Sequence, residues 1–297
     1  MSTLLFATAR RALPLMTPNA RAEAERILAT VDPAHRPTAA RQTLAALHAA
    51  RMQSAARRLH AAIVSALGTA RTHTLALLRA RTANAAGGAA FDVLFDPEVF
   101  GKDLFAKMRA VTETSLEEAG QGLYDELHVP PDDPFTMAPP EAKRFIAERE
   151  NLLAGVPDEI HGQIGRSLNA GFDAGESLAQ LEHRVETAFA GVERGRAQVI
   201  AKTETHAAYG HARQEAMQRQ GVQRKQWLVS MSPLIKKHRD LHLEMDGQVA
   251  DIGAKYQYPD GQGDYLDFPG APGGAPEDVI NCSCTSIPFF DEEAPTA

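Results

Sequence analysis

The chain has 297 residues, which is enough for one large domain or two ordinary ones. Apolar residues make up 44% of it but aromatic residues only 6%. Because alanine buries little area per residue, we expect a thin and largely helical core. Two cysteines are too few for the disulfide framework of a small secreted protein. We find no stretch of roughly 20 apolar residues, the length that a bilayer span needs, so no membrane partner is expected.

The charge is distributed unevenly along the chain. The net charge is -7, yet residues 1–90 hold twelve arginines, no lysine and three acidic residues, which leaves that segment at +9 and the remainder at -16. A basic segment on an acidic body predicts an acidic or polyanionic partner, whereas a solvated arginine-rich helix is the alternative. The candidate contact residues are Arg41, Arg51, Arg57, Arg58, Arg71, Arg79 and Arg81.

Helical patterns dominate the first two thirds of the chain. From Thr38 to about Asn84 apolar residues recur near the helical period without a proline, which predicts one or two long helices. Pro97 begins another helix that extends to about Leu127, and shorter helices follow a proline-dense segment. The predicted regions are a basic arm at 1–37, a helical region at 38–128, a proline-rich linker at 129–140, a C-terminal domain at 141–290 and an acidic tail at 291–297.

The last third of the chain contains both cysteines and the only tryptophan. A helix predicted from Arg196 is followed by a strand around Trp227, by a turn at Asp246 and Gly247, and by a last strand after I-N-C-S-C. The predicted fold class is therefore α+β. Largely helical N-terminal and middle regions precede a small mixed α/β C-terminal domain with short strands.

A zinc site is one interpretation of this region. His238 and His242 are four residues apart and would share one face of a helix, while Cys282 and Cys284 would supply two thiolates for a His2Cys2 set. In the alternative, His242 bonds to a buried turn and the cysteines pack as small apolar residues. A disulfide within C-x-C would be strained. We expect no cofactor, with zinc as the alternative.

A catalytic interpretation uses three other side chains of the same region. Glu204, His242 and Asp246 would form an acid/base group that acts on a phosphodiester or glycosidic bond. The competing interpretation is that these polar residues hold together a small domain that is poor in apolar side chains. We favour the second interpretation, so neither a catalytic residue nor an enzymatic activity is expected.

Several short motifs occur in an order that resembles a known family. The run R-A-x-x-I-A-K-T-E-T is followed by A-R, G-V, K-x-W, H-x-x-x-D-G-Q, a Pro-Gly loop and I-N-C-x-C-T. Over about residues 140–290 this order resembles the phage Mu protein F-like family, the minor head or head morphogenesis proteins of tailed phages. Lys202 and Ser283 stand where that family usually has arginine. The signature residues are Arg196, Thr203, Glu204, Trp227, His242, Asp246, Gly247, Asn281, Cys282 and Cys284.

The resemblance implies a protein of few copies that is made in the host cytoplasm and lies inside the phage head, at the portal vertex. It implies the portal protein and other head or scaffold proteins as partners, with packaged DNA as a further one, and a role in head assembly or DNA ejection. The arginines of the basic segment would contact the portal or DNA phosphates. Two other functions stay open: a nuclease-like or other effector enzyme, and a nonspecific DNA-binding protein that uses the N-terminal arm.

Overall fold

The computed structural model describes residues 36–83, 94–230 and 239–290. These residues divide into two compact units. Unit 1 holds the described residues within 1–55, 114–138 and 202–297, and unit 2 holds those within 56–113 and 139–201. The consecutive domains expected from proline content and charge are a different division of the chain and stay a prediction. Most of the expected basic arm and the whole acidic tail lie outside the described residues.

Six helices make up most of the described residues. The two long helices among them were predicted from the sequence and are confirmed. The first begins two residues before Thr38 and ends one residue before Asn84, and the second begins at Pro97 as predicted. Their bounds are α1 (Arg36–Ala83), α2 (Pro97–Leu127), α3 (Pro139–Leu152), α4 (Val156–Asp173), α5 (Leu178–Arg194) and α6 (Arg196–Arg219).

The hydropathy of α1 bears on the prediction that the protein has no membrane partner. The part Ala40–Arg81 contains an 18-residue window of mean hydropathy 1.2, so by length and composition this helix passes the test for a membrane span. Many alanines raise the hydropathy of this long helix, which has few large apolar residues. The expectation of no membrane partner stays a prediction. A core helix of a soluble protein passes the same test, and Leu59, Ile63 and Leu67 of α1 are buried here.

The core of unit 2 consists of aliphatic and aromatic side chains from its helices. Each such side chain contributes about 1.5–3 kcal/mol when it is fully buried. Gly171 of α4 lets Leu181 of α5 approach closely, since a Cβ at Gly171 would lie 2.7 Å from a Leu181 methyl. The core members include Leu59, Ile63, Leu67, Phe100, Leu104, Ile160, Ile164, Leu168, Leu181, Val185 and Phe189.

The strands of the described residues form one antiparallel sheet in unit 1. They are β1 (Arg224–Leu228), β2 (Val249–Asp251) and β3 (Thr285–Phe289), in the order β2-β1-β3. Two short helices, α7 (Asp240–Glu244) and α8 (Pro276–Val279), complete the region. The combination of many helices with a small C-terminal sheet confirms the predicted α+β class and the strand at Trp227.

Trp227 is the centre of the apolar core behind this sheet. It is fully buried, and its ring packs nearly perpendicular to that of Tyr256, with centroids 5.1 Å apart. The rings of Tyr265 and His242 lie 5.9 and 5.4 Å from it. Such edge-to-face pairs add about 0.5–1.5 kcal/mol each to the burial of their area. Trp227 thus packs in a core that also contains Met245, Tyr256, Tyr265, Leu266 and Phe268.

The proline-rich segment after α2 is fastened to that helix. Phe135 is buried and packs edge-to-face on Tyr124 at 5.3 Å. The Phe135 backbone N–H donates to Gln121 Oε1 at 2.9 Å, and the Met137 N–H donates to Glu117 Oε1 at 2.9 Å. Side chains of α2 therefore satisfy backbone groups that a proline-rich chain cannot pair by itself.

Candidate functional site

Two cysteines and a histidine meet between α7 and the start of β3. The C-x-C segment follows Asn281, whose φ of +57° is left-handed, a conformation that asparagine tolerates better than most residues. The Asn281 N–H donates to Thr203 Oγ1 at 3.2 Å. His206 bonds through Nε2 to the Cys284 carbonyl oxygen at 2.7 Å. Helix α6 thereby holds the backbone on both sides of Cys282.

We call His242, Cys282 and Cys284 the His242 cluster. The Nδ1 atom of His242 lies 3.6 Å from Cys282 Sγ and 3.5 Å from Cys284 Sγ, and the three ligand atoms are all within 4.8 Å of one another. All three side chains are buried and both cysteines are free thiols. The second ring nitrogen of His242 lies 3.0 Å from the Tyr265 hydroxyl oxygen. The cluster is therefore a compact set of one nitrogen and two sulfur donors.

The pKa values of the two thiols are shifted in opposite directions. Burial raises the pKa of Cys282, but the thiol of Cys284 that donates to it, with His206 and His242 nearby, holds that pKa well below its usual range. The hydrogen bond to Cys282 raises the pKa of Cys284 well above its usual range, and burial raises it further. Cys282 is therefore the more acidic thiol of the pair.

Three of the four side chains of the predicted zinc set converge in this cluster. The fourth, His238, lies outside the described residues. The short helix α7 (Asp240–Glu244) carries His242, and the C-x-C segment meets it from 40 residues further along the chain. The sequence motif thus contained the His242 cluster, although only the fold shows that its members touch.

Asp246 belongs to a different hydrogen-bonded group from His242. Its Oδ1 accepts the Val229 N–H at 2.9 Å and an Arg41 N–H at 2.9 Å, while Arg41 also donates to the Trp227 carbonyl oxygen. Gly247 follows with φ of +88°, as the predicted turn requires. The contacts of Asp246 thus tie β1 to a turn and to α1.

The proposed acid/base set is distributed over different surroundings. Glu204 is buried on α6, His242 contacts two sulfurs and a tyrosine hydroxyl, and Asp246 pairs with Arg41. The hydrogen bonds of His242 and Asp246 thus fit the alternative in which these residues support the fold. Among the other signature residues, Arg196 forms an ion pair with Glu159.

A second buried polar group surrounds a carboxylate on α2. The Glu126 cluster consists of Glu126, His48, Arg51 and Arg213. Arg213 binds both carboxylate oxygens, at 3.1 and 2.8 Å, while His48 Nε2 and Arg51 Nη1 lie 2.9 and 3.1 Å from Oε1. Glu126, His48 and Arg213 are all at least 95% buried. Sequence analysis missed this cluster, and its one local signal is a glutamate placed one turn after the buried Leu123.

Electrostatics within the Glu126 cluster favour a charged Glu126 and a neutral His48. Burial alone would raise the pKa of Glu126, but Arg213 and His48 hold it well below its usual range. Burial lowers the pKa of His48 to about 4, and the neighbouring Arg213 lowers it as well. The cluster thus contains one carboxylate, two guanidinium groups and a neutral imidazole.

Lys225, which lies in the K-x-W motif, is a further buried polar residue of unit 1. Its Nζ donates to the carbonyl oxygens of Asp267 and Ile252 at 2.6 and 3.1 Å, and it lies 5.3 Å from the centre of the Tyr256 ring. Burial lowers its pKa to about 8. Lys225 therefore joins β1 to the two loops that supply these carbonyls.

Several of the candidate contact arginines form ion pairs within the protein. Arg41 pairs with Asp246 and Arg51 with Glu126 in unit 1. In unit 2, Arg71 pairs with Glu186 and Glu193, and Arg79 pairs with Glu182. Arg57 and Arg58 are exposed, and Arg81 is partly exposed. Arg57 and Arg58 thus form an adjacent pair of exposed arginines on α1.

Comparison with known proteins finds a family match in the C-terminal part of the chain. Residues 162–287 match the family described as Phage Mu protein F like protein. The match includes Trp227 and the whole His242 cluster. No curated protein and no solved structure matches the chain. The match confirms, over residues 162–287, the resemblance to the phage Mu protein F-like family that was drawn from the motifs.

Proposed function

We propose that the protein is a minor head protein that acts in phage head morphogenesis. The observation that carries this proposal is the family match over residues 162–287. The signature residues within the match make fold-supporting contacts, such as the bond from Asn281 to Thr203. The proposed role is structural and requires no catalysis.

In its finer form, the proposal places the protein at the portal vertex, where it contributes to head assembly or to the ejection of DNA. The exposed pair Arg57 and Arg58 on α1 would contact an acidic surface of the portal protein. Arginine suits this contact because its guanidinium group binds carboxylates with two parallel hydrogen bonds. Packaged DNA is a second surface that the same residues would bind through its phosphates.

The direct experiment deletes the gene from the phage or prophage that encodes it and restores it in trans. We expect the chain to be found in purified particles by mass spectrometry, and we expect the deletion to reduce the number of normal DNA-filled heads in electron micrographs. A chain missing from purified particles, together with unchanged heads and titre, would overturn the proposal.

The contact surface is tested by reversing charge at Arg57 and Arg58 together. The matched control reverses Lys143 and Arg144, which are also adjacent, basic, exposed and in unit 2. We expect only the Arg57→Glu, Arg58→Glu variant to lose low-salt binding to the portal protein of the same phage. If DNA is the partner, the slope of log K against log salt should shrink by about 1.8. Equal binding by both variants would exclude this surface.

The enzymatic alternative rests on Glu204, His242 and Asp246, which are not joined in one arrangement by the hydrogen bonds of His242 and Asp246. Its test is a nuclease assay with DNA and RNA on the full-length chain and on Glu204→Gln. Cleavage that Glu204→Gln abolishes while the fold is retained would support the enzyme and contradict a purely structural role.

A further inference from the structure

We infer that His242 Nδ1, Cys282 Sγ and Cys284 Sγ bind one zinc ion. The inference is independent of the proposed role in phage heads, because it rests on the chemistry of three side chains. Thiolate sulfur and imidazole nitrogen are the ligands that structural zinc sites use most. The chain has only two cysteines, and both lie in this cluster.

The distances within the cluster match a shared metal ion. With zinc–sulfur bonds of about 2.3 Å, zinc–nitrogen bonds of about 2.0–2.1 Å and a tetrahedral angle, a sulfur and a nitrogen ligand lie about 3.6 Å apart. The observed separations of His242 Nδ1 from the two sulfurs are 3.6 and 3.5 Å. Both nitrogen–sulfur separations are thus those of ligands on one tetrahedral zinc ion.

The surroundings orient the donors as metal ligands. A histidine that binds zinc through one ring nitrogen usually donates from the other, which fixes the ring and its tautomer. His242 fits this pattern, because its Nε2 lies 3.0 Å from the Tyr265 hydroxyl oxygen while its Nδ1 lies near both sulfurs. The Cys284 N–H donates to Cys282 Sγ at 3.4 Å, a contact that favours a thiolate sulfur.

Burial supplies a reason for a cation at this position. The three side chains are 2–5% exposed, and ionising both sulfurs away from water would require positive charge nearby. A divalent ion would balance two thiolates and a neutral imidazole. Three protein ligands leave a fourth position for water or another donor.

The ion would connect parts of the chain that are distant in sequence. His242 lies on α7, whereas the cysteines lie 40 and 42 residues later, directly before β3. A metal ligated from both segments stabilises the folded state, because no such site exists in the unfolded chain. Zinc would thus act as a structural link within the small core around Trp227.

The experiment measures metal in the full-length chain purified without chelator. We expect about one zinc per chain, with loss of that zinc in Cys282→Ser, Cys284→Ser and His242→Gln. His48→Gln is the matched control, since His48 is also a buried histidine but belongs to the Glu126 cluster. Zinc that stays bound in the three cluster variants would overturn the assignment of these ligands.

A second measurement uses only the unaltered chain, so it does not depend on the variants folding. Cobalt added to the chelator-treated protein should produce sulfur-to-cobalt charge-transfer absorption and the visible bands of a four-coordinate ion, and zinc should abolish both. Purified protein with both thiols titratable, no zinc and no cobalt spectrum would overturn the proposal. A disulfide between Cys282 and Cys284 in protein handled under reducing conditions would overturn it too.

Discussion

The two buried polar clusters of unit 1 differ in how their buried polar groups are paired. In the Glu126 cluster, one carboxylate meets two guanidinium groups and an imidazole, all within 3.1 Å. In the His242 cluster, the side chains that meet are electron-pair donors, two sulfurs and an imidazole nitrogen. The first cluster contains its own compensating charges, whereas we propose that a cation from outside the chain completes the second. Buried polar residues can thus mark either a finished structural tie or a ligand site.

Metal removal should produce the largest effect that separates the clusters. At free zinc about 1,000-fold above its dissociation constant, binding to the folded state alone adds about 4 kcal/mol to the free energy of unfolding. We expect urea denaturation of chelator-treated protein to show this loss and added zinc to restore it. The increment should persist in Arg213→Met and vanish in Cys282→Ser. An equal increment in Cys282→Ser would contradict the account.

Removing one partner from the Glu126 cluster should cost about 3 kcal/mol. The substitution Arg213→Met leaves Glu126 buried with only Arg51 and His48, and breaking a buried ion pair in this way costs about 3–5 kcal/mol. The lower end applies because Arg51 remains. Denaturation measures the loss, and zinc content should not change.

Arg79→Met is the matched control for that substitution. Arg79 is 60% exposed and pairs with Glu182, so its loss should cost at most about 1 kcal/mol. Equal costs for the buried and the exposed arginine would show that the Glu126 cluster is no more important to stability than a surface ion pair.

Acid should destabilise the Glu126 cluster through His48. The pKa of His48 is about 4 in the folded protein against 6.5 unfolded, so the unfolded state binds the extra proton as pH falls below 6.5. This contribution is fully present above pH 6.5, and at 1.36 kcal/mol per pH unit about 3 kcal/mol is lost by pH 4.5. Measuring in the presence of chelator removes the pH dependence of metal binding.

His48→Gln is the reference for that pH series. The slope of stability between pH 6.5 and 4.5 should be flatter in the variant than in the unaltered chain. Glu126 adds a loss in the same direction at lower pH, because its folded pKa is also lowered. Parallel pH curves for the two proteins would contradict a neutral buried His48.

The smallest effect concerns the hydroxyl behind His242. Tyr265→Phe removes the group bonded to Nε2, and loss of such a contact weakens metal affinity about tenfold, or about 1.4 kcal/mol. Competition with a chromophoric chelator measures the affinity. Tyr256→Phe is the control, since its buried hydroxyl bonds to Ser286 Oγ. Equal weakening by both substitutions would remove the orienting role of Tyr265.

Local patterns in the sequence were sufficient for the elements and for part of the site. Apolar periodicity predicted α1, and Pro97 predicted the start of α2. The combination of C-x-C with His242 placed three donors in one hypothesis. The helix bounds differ from prediction by only one or two residues for α1. These features depend on residues that are close in sequence or on motifs whose residue types favour one kind of chemistry.

Local sequence patterns could not predict the Glu126 cluster. His48, Arg51 and Arg213 lie 75 to 87 residues from Glu126 in the sequence. Periodicity therefore shows that each helix has a buried face but not which faces meet. The same limit affected the arginines. A charge count predicts a basic surface, yet Arg51 forms an ion pair with Glu126 and Arg41 forms one with Asp246.

X-ray absorption at the zinc edge of the purified full-length protein tests the central claim most directly, because it counts the atoms around the metal. We predict two sulfur atoms at about 2.3 Å and one imidazole nitrogen at about 2.0–2.1 Å, with one further light atom. Protein without zinc, or a shell of only nitrogen and oxygen, would contradict the claim that the His242 cluster is a metal site.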